Sequence, residues 1–121
     1  MLKVHAKKLG NVAVLYLQGR IVNGETEILR EAVHSLPEAG TLVLDLARVT
    51  TVDARGLGLM LELRQQAEAK GMRFELTNIT NMVRRVLEVS RLDSVFQITP
   101  AVEFVPAGSR NSRVPLAAYA A

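Results

Sequence analysis

A chain of 121 residues suffices for one domain with a buried core and is short for two. Apolar residues make up 49% and charged residues 22%, the proportions of a folded chain rather than a disordered one. There is no cysteine, which excludes disulfides, thiolate zinc sites and cysteine nucleophiles and fits a cytoplasmic setting. No run approaches the roughly 18 apolar residues of a membrane span, and the charged N-terminus is followed by no signal-like apolar stretch. Direct membrane insertion is therefore not expected. The formal net charge is +3, and without Arg110 and Arg113 in the C-terminal tail basic residues outnumber acidic ones by one. With 4% aromatics there is no base-stacking platform, so nucleic-acid binding is not expected.

Residues 2–9 and 12–18 read as two strands joined by a turn at Gly10-Asn11. The second is continuously apolar, as a strand covered on both faces would be, and Gly19 is expected to end it. A helix over 25–36 carries the inward set Ile28, Leu29, Ala32, Val33 and Leu36 and stops at Pro37. Thr41–Leu46 is a further buried strand, 47–53 a loop, and 56–70 a second helix closed by Gly71. That helix would turn Gly56, Leu59, Met60, Leu63 and Ala67 to the sheet. Arg73–Thr77 reads as a strand. Residues 78–92 read as a third helix with Val83, Val86 and Leu87 inward, and 95–98 as an edge strand. A helical turn is expected over 101–105, between two prolines, and a flexible tail over 106–121. Alternating strands and helices after an opening hairpin predict an α/β fold, a mixed β-sheet with helices packed on it.

Catalytic machinery is hard to find. His5 and His34 fall in a strand and a helix far apart, with no nucleophile beside them, so neither a catalytic nor a metal role is expected. Gly56-Leu57-Gly58 lacks the third glycine and the lysine of nucleotide-binding loops. Asp45 is expected to bond loop amides. No enzymatic activity, cofactor or metal is expected.

The informative stretch is 44–58, a strand, a loop and a helix start. Asp53 is placed to cap the helix, its carboxylate accepting orphan backbone N–H groups. Gly56 and Gly58 each cost about 1 kcal/mol of helix propensity relative to Ala. Close packing on the sheet accounts for Gly56. Gly58 lies about 160° round from the inward stripe at 3.6 residues per turn, where it either meets nothing or admits the close approach of a partner.

The run Val52-Asp53-Ala54-Arg55-Gly56-Leu57-Gly58, the helix ending in Lys70-Gly71, Leu76-Thr77-Asn78, and Val83 to Leu92 together resemble a STAS domain, that of bacterial anti-sigma factor antagonists. The resemblance spans about 2–105. It implies a STAS domain over 1–105, a mixed sheet with its helices mainly on one face, and a role in bacterial transcription regulation and stress response by partner switching. In that family the domain binds an anti-sigma factor, often a serine kinase, and frees the sigma factor. The kinase phosphorylates a serine just before the glycine of Asp-x-Ser-Gly, which breaks the complex. Here that position is Arg55, preceded by Ala54, so the usual switch is absent. Arg55 either faces solvent, pairs with Asp53, or meets an acidic group on the partner. Thr50, Thr51 and Ser90 are other candidate phosphoacceptors. Carried over residue by residue, the partner-binding set is Asp53, Ala54, Arg55, Gly56, Leu57, Gly58 and Leu61. Leu57 and Leu61 would form a small apolar anchor, and Arg84 on the third helix would extend the patch. A second family member implied by the resemblance is a cytosolic STAS subunit docking on the ATPase of an ABC-type lipid transporter. A third is a scaffold subunit of a large stress-sensing assembly.

Overall fold

The computed structural model describes residues 1–100 together with the backbone of Val102–Phe104 and Arg113–Pro115. An opening hairpin pairs β1 (Lys3–Leu9) antiparallel with β2 (Val12–Ile21). Then follow α1 (Thr26–His34), β3 (Thr41–Val52), α2 (Ala54–Ala69), β4 (Arg73–Thr77), α3 (Asn81–Val89) and β5 (Gln97–Thr99). The sheet runs β1-β2-β3-β4-β5, parallel from β2 onward, so the fold is the expected mixed-sheet α/β architecture. The last two strands, β6 (Val102–Phe104) and β7 (Arg113–Pro115), form a separate antiparallel pair.

Alternation along the strands sorts the sheet into two faces. Ala13, Leu15 and Leu17 of β2, Leu42, Leu44 and Leu46 of β3, and Phe74 and Leu76 of β4 join the main core. Helices α1, α2 and α3 close that core with Leu29, with Leu59, Met60, Leu63 and Ala67, and with Val83 and Leu87. Burying the Leu, Met, Val and Phe side chains of this core contributes about 1.5–3 kcal/mol each. Val12, Val14 and Val43 form a smaller cluster on the opposite face, with Tyr16 against it. Β-strands β2 and β3 thus bury both faces over their first halves, as the continuous apolar runs predict.

Several boundaries differ from expectation. Β-strand β2 continues past Gly19 to Ile21, because Gly19 takes φ +115° and its neighbourhood shifts register against β3. The 47–53 segment, expected as a loop, is strand up to Val52 and pairs with Gln18–Ile21. The same irregularity explains the miss: Val49 and Val52 are buried while the residues around them break a period of two. Ile28 is 42% exposed rather than inward, α1 ending before Leu36. The third helix is shorter than 78–92, since Asn78 and Arg91 take φ +54° and +61°; Thr80 caps it, its hydroxyl accepting from the Val83 N–H at 3.2 Å. Val102–Phe104 is extended and paired, not a helical turn, in keeping with the strand preference of Val and Phe. The expected flexible tail 106–121 lies outside the described residues apart from β7.

Gly56 seats α2 on the sheet. A Cβ built there would lie 1.8 Å from the Ile21 carbonyl oxygen and 2.8 Å from its carbon, both backbone atoms that cannot swing away. Gly56→Ala is therefore expected to destabilise the fold by about 3 kcal/mol. Urea unfolding would check this as a lowered midpoint at unchanged slope.

Candidate functional site: the start of α2

Β-strand β3 delivers the chain to the carboxyl edge of the sheet, where Asp53 turns it into α2. Asp53 is extended, at φ −101° and ψ −175°, and half-buried. One carboxylate oxygen accepts from the Gly56 N–H at 2.9 Å, the other from the Asn23 N–H at 3.0 Å. Its own N–H donates to the Ile21 carbonyl at 3.3 Å, and its carbonyl receives the Leu57 N–H at 2.9 Å. One residue thus ties the β2–α1 connection to the first turn of α2. The N–H groups of Asn23 and then Gly56 hold its carboxyl below the usual carboxylate range.

Ala54 and Arg55 stand exposed on the opening turn. Arg55 does not pair with Asp53, whose two oxygens are occupied by backbone donors, and it makes no ion pair among the described residues. A turn later Gly58 is exposed, and a Cβ placed on it would meet nothing within 4 Å. Leu57 and Leu61 are half-buried and packed against the core, so only part of each is available as an apolar anchor. Arg84 sits exposed on α3. Because β3 and β4 are parallel neighbours, α2 and α3 start from the same sheet edge. The structure therefore groups Asp53, Ala54, Arg55 and Gly58 closely, turns Gly56 inward, and puts Arg84 apart from them on α3.

The other candidate phosphoacceptors are committed to backbone in two cases. The Thr50 hydroxyl donates to the Gly19 carbonyl at 3.2 Å, and that of Ser90 to the Val86 carbonyl at 2.8 Å. Thr51 is half-buried. Asp45 accepts from the Ala47 N–H at 3.0 Å, as expected of it, and from the Asn78 side-chain amide at 2.9 Å.

Residues 4–100 match the STAS_2 family model, described as "Mlab, STAS domain". The chain belongs to the STAS family. A STAS-domain containing protein of Pseudomonas aeruginosa is 29% identical over 91 residues, 74% of this chain and 90% of that one. Among solved structures, an anti-sigma factor antagonist from Mycobacterium paratuberculosis superposes with a TM-score of 0.75 at 20% identity, over 84% of this STAS chain and 87% of that protein. A sulfate transporter family protein from Wolinella succinogenes gives 0.67 at 18% identity, over 76% and 80%. Among the described residues no helix of this STAS protein is long and apolar enough to cross a membrane.

Sequence reasoning missed three contributors to the site. Asn23 and Ile21 act through backbone atoms, which leave no compositional trace. Arg30 of α1 grips Glu62 of α2, its Nε 2.8 Å from a carboxylate oxygen, and also meets Glu27. Such a cross-helix pair has no sequence spacing to betray it.

The Asp53 carboxylate stabilises the fold where it is charged. Its folded pKa lies below the ordinary value of 3.8, so the contribution is present above that value and disappears as pH falls through the folded one. Asp53→Asn should unfold more readily than the parent at pH 7, with the gap closing below about pH 3.8. Urea midpoints of both proteins from pH 7 to pH 2.5 would measure it, and a gap independent of pH would contradict the assignment.

Proposed function

We propose that this STAS protein is a cytoplasmic regulator of the anti-sigma factor antagonist kind. It works by binding an anti-sigma factor of the serine-kinase type, not by turnover, and its contact surface is the exposed start of α2. The observation that carries this reading is Gly58. It forgoes about 1 kcal/mol of helix propensity relative to Ala, yet nothing inside the fold needs its missing side chain. A partner backbone lying close on α2 supplies the reason. Ala54 beside it is small and exposed, and Arg55 offers a cation with no partner engaged within the described fold.

Arg55 also decides the mode of regulation. A phosphoserine would bring about −1.5 to −2 charges to this turn; arginine brings one positive charge and accepts no phosphate. The complex is then insensitive to phosphorylation at this position, and Arg55 meets an acidic group on the partner.

A second reading places the same surface on the ATPase of an ABC-type lipid transporter. It is favoured by the family description, which is "Mlab, STAS domain" rather than that of the antagonists. Affinity purification of the tagged protein from its native cells separates the two. Recovery of a kinase-type anti-sigma factor supports the first reading, and recovery of a transport ATPase replaces it with the second.

With the partner in hand, Arg55→Glu should weaken binding at least tenfold without loss of stability. Gly58→Ala should split the two properties, raising stability by about 0.5–1 kcal/mol while weakening the complex. Calorimetric titration and thermal unfolding of both variants would check this. Unchanged affinity in both would remove α2 from the interface.

A further inference from the structure

The outer edge of β1 is equipped to receive another strand. Β-strand β1 pairs with β2 along all of its seven residues and with no other strand among the described residues. In an antiparallel pair every second residue directs its N–H and C=O to the neighbour and the rest direct theirs away. A row of backbone donors and acceptors therefore faces outward along Lys3–Leu9.

The side chains of β1 divide between the two faces by their partners. Val4, Ala6 and Lys8 stand opposite Leu17, Leu15 and Ala13 on the helix face. Lys3, His5 and Lys7 stand opposite Gln18, Tyr16 and Val14 on the other. On the helix face a groove of about 350 Å³ runs beside β1, apolar at Val4, Ala6, Ala32, Leu36 and Pro37 and bordered by Lys7, Lys8 and Ser35. On the other face Lys3 and Lys7 are exposed, with His5 between them. A strand laid along this edge would alternate one side chain into the groove with one beside the cations.

We propose that β1 binds an extended acidic segment of a partner protein by strand addition, the segment alternating apolar residues with Asp or Glu. Main-chain bonds supply the affinity common to this mode, and the two rows of side chains supply selectivity. A second copy of the chain is a poor occupant. An antiparallel β1–β1 pair centred on His5 sets Lys3 of each copy opposite Lys7 of the other. Cations directly opposite each other destabilise a ladder, and edge lysines are a common guard against self-pairing. The edge thus discriminates by charge, refusing itself and admitting an acidic strand. It uses none of the residues at the start of α2, and it does not depend on the function proposed above.

The test uses the full chain and a synthetic peptide, acetyl-Thr-Glu-Val-Glu-Val-Glu-Val-amide, with hydrogen exchange of the protein followed residue by residue. Alternate amides of β1 should slow at least tenfold on saturation. A peptide with Lys for each Glu should bind at least tenfold more weakly, and one N-methylated at alternate residues should not bind. The double variant Lys3→Glu, Lys7→Glu, checked for folding by circular dichroism, should reverse the preference between the acidic and basic peptides. Three results would overturn the proposal: no binding at millimolar peptide, binding that leaves the β1 amides unchanged, or full protection of those amides before peptide is added. The last would mean that another segment of the chain, or a second copy seen by sedimentation, already holds the edge.

Discussion

The Ile21 carbonyl and the Asp53 carboxylate together fix how α2 leaves the sheet. The carbonyl accepts the Asp53 N–H and lies where a side chain on Gly56 would be. The carboxylate reaches back to Asn23 and forward to Gly56. Four pieces of backbone from two connections are thereby locked to one another, in a space that only glycine at 56 leaves open. The orientation of everything exposed on the first two turns of α2 follows from this lock. Ala54, Arg55 and Gly58 face outward because Gly56, Leu59 and Met60 must face inward.

Packing on the other side of the helix limits what the surface can be. Leu57 and Leu61 flank the exposed strip but rest against the core, so they give it a shallow apolar shoulder rather than a protruding anchor. The Arg30–Glu62 pair joins α1 to α2 at the edge of the same surface. Such part-exposed pairs contribute little to stability, and their value here is in holding two helices at one spacing. In the proposed complex, specificity then comes from backbone approach at Gly58 and from charge at Arg55, not from a deep hydrophobic plug.

The sequence carried the architecture well because long apolar runs and helical periodicity are signals that bulges and caps barely disturb. Val12–Leu17, Thr41–Leu46 and the Leu59, Met60, Leu63 and Ala67 stripe all fall where periodicity puts them. What periodicity could not convey was the second half of β3. There the register shifts opposite Gly19 and Gln18 remove the period of two, and a strand looks like a loop. The same shifts bring Ile21 and Asn23 up to Asp53, so the error in the fold and the omission in the site share one cause. Asp53 was legible as a cap because capping requires a particular side chain. Its partners were not, because any residue can offer a backbone N–H or carbonyl. The pairing of Arg55 with Asp53, open on sequence grounds, is closed by geometry once those backbone donors fill the carboxylate.

That occupied carboxylate gives the first turn of α2 a division of charge. An exposed cation at a helix N-terminus opposes the dipole by roughly 0.3–1 kcal/mol. Here the anion that offsets it, Asp53, is turned inward and spent on backbone, while Arg55 is left pointing out. Neutralising each other directly would have satisfied both residues and presented nothing to a partner. Keeping them apart satisfies the helix through Asp53 and leaves the positive charge of Arg55 to be satisfied from outside. In the proposed complex that asks for an acidic group opposite Arg55. A phosphate at the same position would instead have been a second anion beside the Asp53 carboxylate, favoured by the helix terminus but repelled by its neighbour. On the proposed function, arginine at 55 makes the start of α2 a surface that selects for negative charge already present on the partner, rather than one switched by adding negative charge.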